Sequence, residues 1–273
     1  MSKHDAQTRI AILGGGNLGQ ALARGWAAKA GFDPAAITVT RRDPEKLKSL
    51  IKEGFAVTSD NAAAVAAADI VVLAVQPQQL DGLCAELKEA IDPERHAIIS
   101  VVSGVMIADL QERLDTRAPT VRAMPNTAVS IGESMTCLAA GDEASEALDQ
   151  AQTLFSALGE TLILPESMMT PATAVCACGV AFFLRCVRAA SQGGIEIGFH
   201  PEEALLLAAQ TARGAASLLL EGEGHPEREI DRVTTPRGCT IAGLNEMEHR
   251  GFSSAMIRGI VVSAQKAEGL ASG

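Results

Sequence analysis

Tyrosine is absent from this 273-residue chain, tryptophan occurs once, and aromatic residues make up only 3%. Platforms on which bases stack are therefore scarce. Basic residues are outnumbered as well: 23 Lys and Arg stand against 33 Asp and Glu, giving a formal net charge of -10 and a pI near 5.0. That balance argues against a counterion-releasing grip on nucleic acid. The cysteines, Cys84, Cys137, Cys176, Cys178, Cys186 and Cys239, include no CxxC pair. The common zinc and thioredoxin-like spacings are thus missing, and no metal is expected. No secretory leader is recognisable, so reduced thiols in a cytoplasmic protein are the expectation.

Long hydrophobic runs are also few. The most apolar stretch, 168–184, is interrupted by Thr170, Pro171 and Thr173 and followed by Arg185 and Arg188. It falls short of the roughly 20 apolar residues a membrane span needs. A buried core helix is expected instead, with no membrane as partner. The tails, 1–8 and 271–273, are expected to be loosely ordered.

What is present is a chain of two different periods. Up to about residue 165, short β-branched runs alternate with helical stretches. Strands are expected at 9–13, 37–40, 55–58, 70–75, 97–102, 120–123, 135–139 and 161–164, and helices at 18–30, 44–52 and 78–91. This alternation predicts an α/β Rossmann-type doubly wound, mostly parallel sheet covered by helices. After Pro165 strand signals stop. Helices are expected at 171–197, 201–220, 238–249 and 253–267. Those around 204–220 are apolar almost all round and need burial that an all-α domain of this size cannot supply alone, which predicts a subunit interface. The expected division is a 1–165 nucleotide-binding domain and a 166–273 helical domain.

The first expected strand runs into Gly14-Gly15-Gly16-Asn17-Leu18-Gly19. Gly14, Gly16 and Gly19 fit G-x-G-x-x-G at a strand-to-helix turn: the first makes the tight turn, the second admits pyrophosphate, and the third packs helix on strand. The second strand ends in Arg41-Arg42, where an NAD enzyme usually places an acid. Two guanidiniums suit a 2′-phosphate, so NADP(H) is the preferred cofactor, with NAD(H) the alternative. Asp43 reads as a helix cap ahead of Pro44. Asn61 reads as either a helix cap or an adenosine contact. Ala74, Val75, Gln76 and Pro77 follow the strand at 70–75, where the crevice rule puts the nicotinamide.

Near the other end, Thr235-Pro236-Arg237-Gly238-Cys239-Thr240 leads into a helix through small residues. A helix start leaves N–H groups unpaired beside a partial positive charge, which makes a small carboxylate site with the Thr240 hydroxyl as its polar handle.

Taken with Met124-Pro125-Asn126-Thr127, these motifs resemble the pyrroline-5-carboxylate reductase family, in order and over 9–268. The resemblance implies an oxidoreductase that reduces Δ1-pyrroline-5-carboxylate to L-proline with NADPH or NADH. It also implies a homodimer through the helical domain, with rings of five dimers in some members. It places cofactor contacts on Gly14, Gly16, Asn17, Leu18, Gly19, Asn61, Val75, Gln76 and Pro77, to which the strand-end reading adds Arg41, Arg42 and Ala74. Substrate contacts fall on Thr235, Arg237, Gly238, Cys239, Thr240 and Glu223, and Thr240 faces the ring nitrogen. The chain departs from the family where Gln76 replaces Lys, Ala128 replaces Pro, Cys176 and Cys178 replace Ser, Phe182 replaces Tyr, and Arg237 replaces Gly. Two alternatives stay open: a paralogue for another cyclic imino acid, and a non-catalytic NADP(H)-binding regulator. A β-hydroxyacid dehydrogenase of the same plan would want a lysine on the helical domain, and 171–220 contains none.

Overall fold

A computed structural model describes residues 8–222 and 224–271, the last three without their side chains. The expectations for the extreme tails and for Glu223 fall largely outside the described residues.

The first part alternates strands and helices. The strands are β1 (Ile10–Leu13), β2 (Ile37–Thr40), β3 (Ala56–Thr58), β4 (Ile70–Leu73), β5 (Ala97–Ser100), β6 (Thr120–Met124), β7 (Ser134–Ala140) and β8 (Gly159–Ile163). They form one eight-stranded sheet in the order β3-β2-β1-β4-β5-β6-β7-β8. Every pairing is parallel except β6 with β7. β1 lies between β2 and β4, so the chain reverses its direction of winding there and opens a crevice beyond the strands' carboxyl ends. The register puts Leu13, Thr40 and Leu73 level at that edge.

Alternation along each strand feeds two cores. Ile10, Ile12, Ile70 and Val72 face one side, beneath α1 (Asn17–Gly25), α2 (Lys48–Lys52) and α6 (Ser145–Ser156). Ala11, Leu13, Val71 and Leu73 face the other, beneath α3 (Asn61–Ala66), α4 (Pro77–Leu87) and α5 (Ile107–Leu114). The single tryptophan, Trp26, is fully buried in a π-helical turn that extends α1, and its indole N–H donates to the Leu154 carbonyl at 3.0 Å.

The helix α5 is not among the expected elements; its N-cap position is Met106, which offers no capping side chain. Its first amide, Ile107 N–H, donates instead to Glu166 Oε1 at 2.7 Å, and the same carboxylate pairs with the buried Arg122 of β6 at 3.0 Å. Two expected caps are corrected. Asp60, not Asn61, caps α3 by accepting from Ala63 N–H. Asp43 sits at the N-cap position before Pro44 but makes no capping bond, its carboxylate lying 3.7 Å from the Lys46 ammonium.

The remainder is helical: α7 (Met169–Ala172), a π-helical turn at Thr173–Ala177, α8 (Cys178–Glu196), α9 (Pro201–Leu220), α10 (Pro226–Val233), α11 (Cys239–His249) and α12 (Phe252–Ala271). By internal contacts, Cys178–Ser263 is one compact unit, and the chain up to Ala177, joined by the stretch from Ala264, is another. Within the second unit α8 packs on α9. The expected buried core helix is corrected: of α8 only Gly179 and Ser191 are buried within this chain. The helical run Glu166–Glu196 also exceeds the expected length, and by length and composition alone it is long and apolar enough to cross a membrane.

Candidate active site

A dinucleotide cradle is built on β1 and α1. Gly14 adopts φ +121°, and a Cβ there would lie 2.3 Å from the Ala74 carbonyl oxygen. A Cβ on Gly19 would lie 2.1 Å from the Gly14 oxygen. These two glycines are fixed by the protein's own packing. Gly16 is different: a Cβ there meets nothing within 4 Å. It is also the N-cap of α1 and makes no side-chain cap bond, so the N–H groups of Asn17, Leu18 and Gly19 start the helix without intrahelical acceptors. An open cradle of amides at a helix's positive end fits a pyrophosphate. Leu18 contributes through its backbone only, since its side chain packs on the first core.

Arg41 and Arg42 follow directly on β2, where the strand pattern of the sequence puts them. The Arg41 guanidinium donates to the Gly15 carbonyl at 2.8 Å, which ties β2 to the glycine loop. Among the described residues neither arginine is paired with an acid. Asn61 accepts from the Thr40 hydroxyl at 2.6 Å and donates to Glu86 at 2.7 Å, so it spans β2 and α4 at the crevice edge. β4 ends at Leu73, sooner than expected, and Ala74 and Val75 continue as irregular backbone beside the loop. Gln76 then caps α4 in a reciprocal box with Gln79. Beside α1 an open cavity of about 490 Å³ runs from Asn17 to Lys29 and is closed by Val129–Gly132, just after Met124-Pro125-Asn126-Thr127.

A separate turn and helix start lie in the helical unit. Gly238 N–H donates to the Thr235 carbonyl at 2.9 Å, closing a four-residue turn. Pro236 is its second residue and Arg237, at φ +60°, its third. That is the pattern of a type II turn, whose third position favours glycine. Arg237 therefore holds a left-handed conformation at a cost of roughly 1 kcal/mol or more.

The turn changes one expectation. Gly238 N–H is committed to Thr235 and is not free for a carboxylate. Gly238 is the N-cap of α11, so the unpaired amides are those of Cys239, Thr240 and Ile241. Gly238 also packs tightly, since a Cβ there would lie 2.5 Å from Thr235 Oγ1. Cys239 and Arg237 are exposed and Thr240 is half-buried. The Thr240 hydroxyl has no hydrogen-bond partner among the described residues, so it is not held as a simple backbone tie. Glu223 lies outside the described residues.

Two family descriptions match the chain: "NADP oxidoreductase coenzyme F420-dependent" over residues 9–104, and "Pyrroline-5-carboxylate reductase dimerisation" over 166–270. Pyrroline-5-carboxylate reductase 1 of Dictyostelium discoideum is 52% identical over 273 residues, covering 96% of this chain, which spans 49% of that longer relative. Pyrroline-5-carboxylate reductase 2 of the same organism is 47% identical, covering 94% of this chain and 91% of its own length. The chain belongs to the pyrroline-5-carboxylate reductase family. The solved pyrroline-5-carboxylate reductase of Coxiella burnetii superposes with a TM-score of 0.90 at 30% identity, covering 97% of this chain and 98% of that one. This is a family of oxidoreductases, and the mostly parallel sheet followed by a helical dimerisation domain is its architecture here.

Proposed function

We propose that this protein reduces Δ1-pyrroline-5-carboxylate to L-proline, the closing step of proline biosynthesis, with NADPH as the preferred donor. When bound, the dinucleotide supplies a hydride to the C=N carbon, and with one proton from water the imine becomes a secondary amine. The amides of Asn17, Leu18 and Gly19 hold the pyrophosphate. Arg41 and Arg42 hold the 2′-phosphate, which supports NADPH over NADH. The amides of Cys239, Thr240 and Ile241 hold the imino-acid carboxylate, and the Thr240 hydroxyl orients the ring nitrogen. Much of the acceleration then comes from fixing donor and acceptor in place, because an imine takes its proton readily from solvent.

The observation that carries this reading is the pair of uncapped helix starts: α1, where packing fixes Gly14 and Gly19 and leaves Gly16 open as a cradle, and α11, where packing fixes Gly238. We read 1–165 as the nucleotide-binding domain and 166–273 as the substrate and dimerisation domain. The apolar surface of α8, α9 and α12 supports a homodimer, and the free thiols support a cytoplasmic location.

Purified protein given NADPH and pyrroline-5-carboxylate is expected to consume both and yield proline, with kcat/KM for NADPH above that for NADH. Thr240→Ala is expected to lower kcat at least about tenfold while leaving NADPH affinity within about twofold, as for one hydrogen bond to a charged or reacting group. Tight NADPH binding without turnover on this substrate would overturn the reading. Arg237 favours a second reading, reduction of a different cyclic imino acid. Faster turnover on a six-membered-ring imine than on pyrroline-5-carboxylate would establish it.

A further inference from the structure

Strand β7 and the π-helical turn ahead of α8 bring two thiols together. Cys137 Sγ and Cys176 Sγ lie 3.6 Å apart, although the residues are 39 positions apart in sequence. Cys137 is buried, whereas Cys176 is only partly covered. Both sit in a small apolar cluster with Met124, Ala139, Leu164 and Met169. In the pattern that the resemblance implies, serine stands where this chain has Cys176.

We propose that Cys137 and Cys176 form a peroxide-oxidisable dithiol, in which Cys176 reacts first and Cys137 closes the disulfide. The division of labour follows from geometry. Cys176 has access to solvent, and the buried Cys137 can donate its S–H to the neighbouring sulfur. That hydrogen bond stabilises the Cys176 thiolate and draws its pKa down to about 7, while the same bond and burial push Cys137 well up. The thiolate is the nucleophile. The Cys176 sulfur attacks one oxygen of hydrogen peroxide: an S–O bond forms, the O–O bond breaks, and the leaving hydroxide takes a proton to become water. The Cys137 sulfur then attacks the Cys176 sulfur. An S–S bond forms, the S–O bond breaks, and the departing hydroxide leaves as a second water with the Cys137 proton. Two thiols and one peroxide thus give one disulfide and two waters. The sulfurs need to close from 3.6 Å to about 2.05 Å, a movement that a half-exposed turn accommodates.

The other thiols frame the contrast. Cys84 is buried alone in the second core, and burial pushes its pKa up to about 11. Cys239 is exposed but has no second sulfur beside it among the described residues.

The test treats the full-length protein with hydrogen peroxide, alkylates the remaining thiols after denaturation, and maps the peptides by mass. The expected product is a linked pair of Cys137 and Cys176 peptides, two hydrogen masses lighter than the separate thiols and restored by dithiothreitol, with Cys84 untouched. In Cys137→Ser the reaction is expected to stop at a Cys176 sulfenic acid, trapped as a dimedone adduct. In Cys176→Ser, Cys137 is expected to stay a free thiol. The proposal fails if the wild type keeps both thiols at a dose that oxidises Cys239, or if dimedone marks Cys137 in Cys176→Ser. The wild-type map needs no variant to fold and no assay of turnover, so it stands apart from the test of the reductase activity.

Discussion

Arg237 carries the clearest single-residue consequence. A side chain at φ +60° in the third position of a type II turn is strained, and glycine there is not. Arg237→Gly is expected to raise unfolding stability by about 1 kcal/mol in urea titration. If the guanidinium reads the substrate carboxylate, the same variant raises KM for the imino acid without altering KM for NADPH. His96 gives a pH-dependent counterpart. It is buried, its Nδ1 accepts from Asp92 N–H, and among the described residues its Nε2 makes no well-formed hydrogen bond, the Val65 backbone being only the weakest influence on the ring. Burial first, and then the Arg95 charge, lower its pKa below the usual 6.5. The unfolded chain therefore takes up this proton before the folded one does. The contribution to stability is complete above about pH 6.5 and is lost as pH falls below it. Melting temperature is expected to fall between pH 7 and pH 5, and less steeply in His96→Asn, which keeps an acceptor near the Nδ1 position. At this scale the sequence showed which residue types were unusual but not how each is engaged. The Gly238 amide illustrates why: its bond to Thr235 needs the left-handed φ of Arg237, which arginine as a residue type does not announce.

The glycine loop is a device at the scale of an element, and its parts should fail differently. Gly14 and Gly19 have carbonyl oxygens where a Cβ would go, whereas Gly16 faces open space at an ordinary φ of -77°. Gly16→Ala is expected to melt within about 2 °C of the parent yet bind NADPH at least about tenfold more weakly, because the methyl group occupies the cradle and not the fold. Gly14→Ala and Gly19→Ala are expected to lose stability by several kcal/mol. Calorimetry alongside NADPH titration separates the two outcomes. This element was legible in sequence because strand, glycine spacing and helix are contiguous. The start of α5 was not, because Glu166, which receives its first amide, lies 59 positions away. Asp60 and Asn61 show a smaller limit: both residue types cap helices well, and only the chain's path decided for Asp60.

The helical unit sets the behaviour of the whole molecule. Phe183 is 67% exposed and Leu206 70%, and Leu220 and Ile257 are similarly bare. Sequence made this visible, because helices apolar on every face cannot stand in water alone. Light scattering is expected to give the mass of a dimer, and Phe183→Glu/Leu206→Glu half that mass. The same bare helices tie the chain's survival to its abundance. If a subunit is secure only when paired, its melting point rises with protein concentration. Newly made copies then race between meeting a twin and being cleared by proteases. Halving synthesis would remove more than half of the working enzyme, so gene dosage rather than catalytic rate becomes the sensitive control.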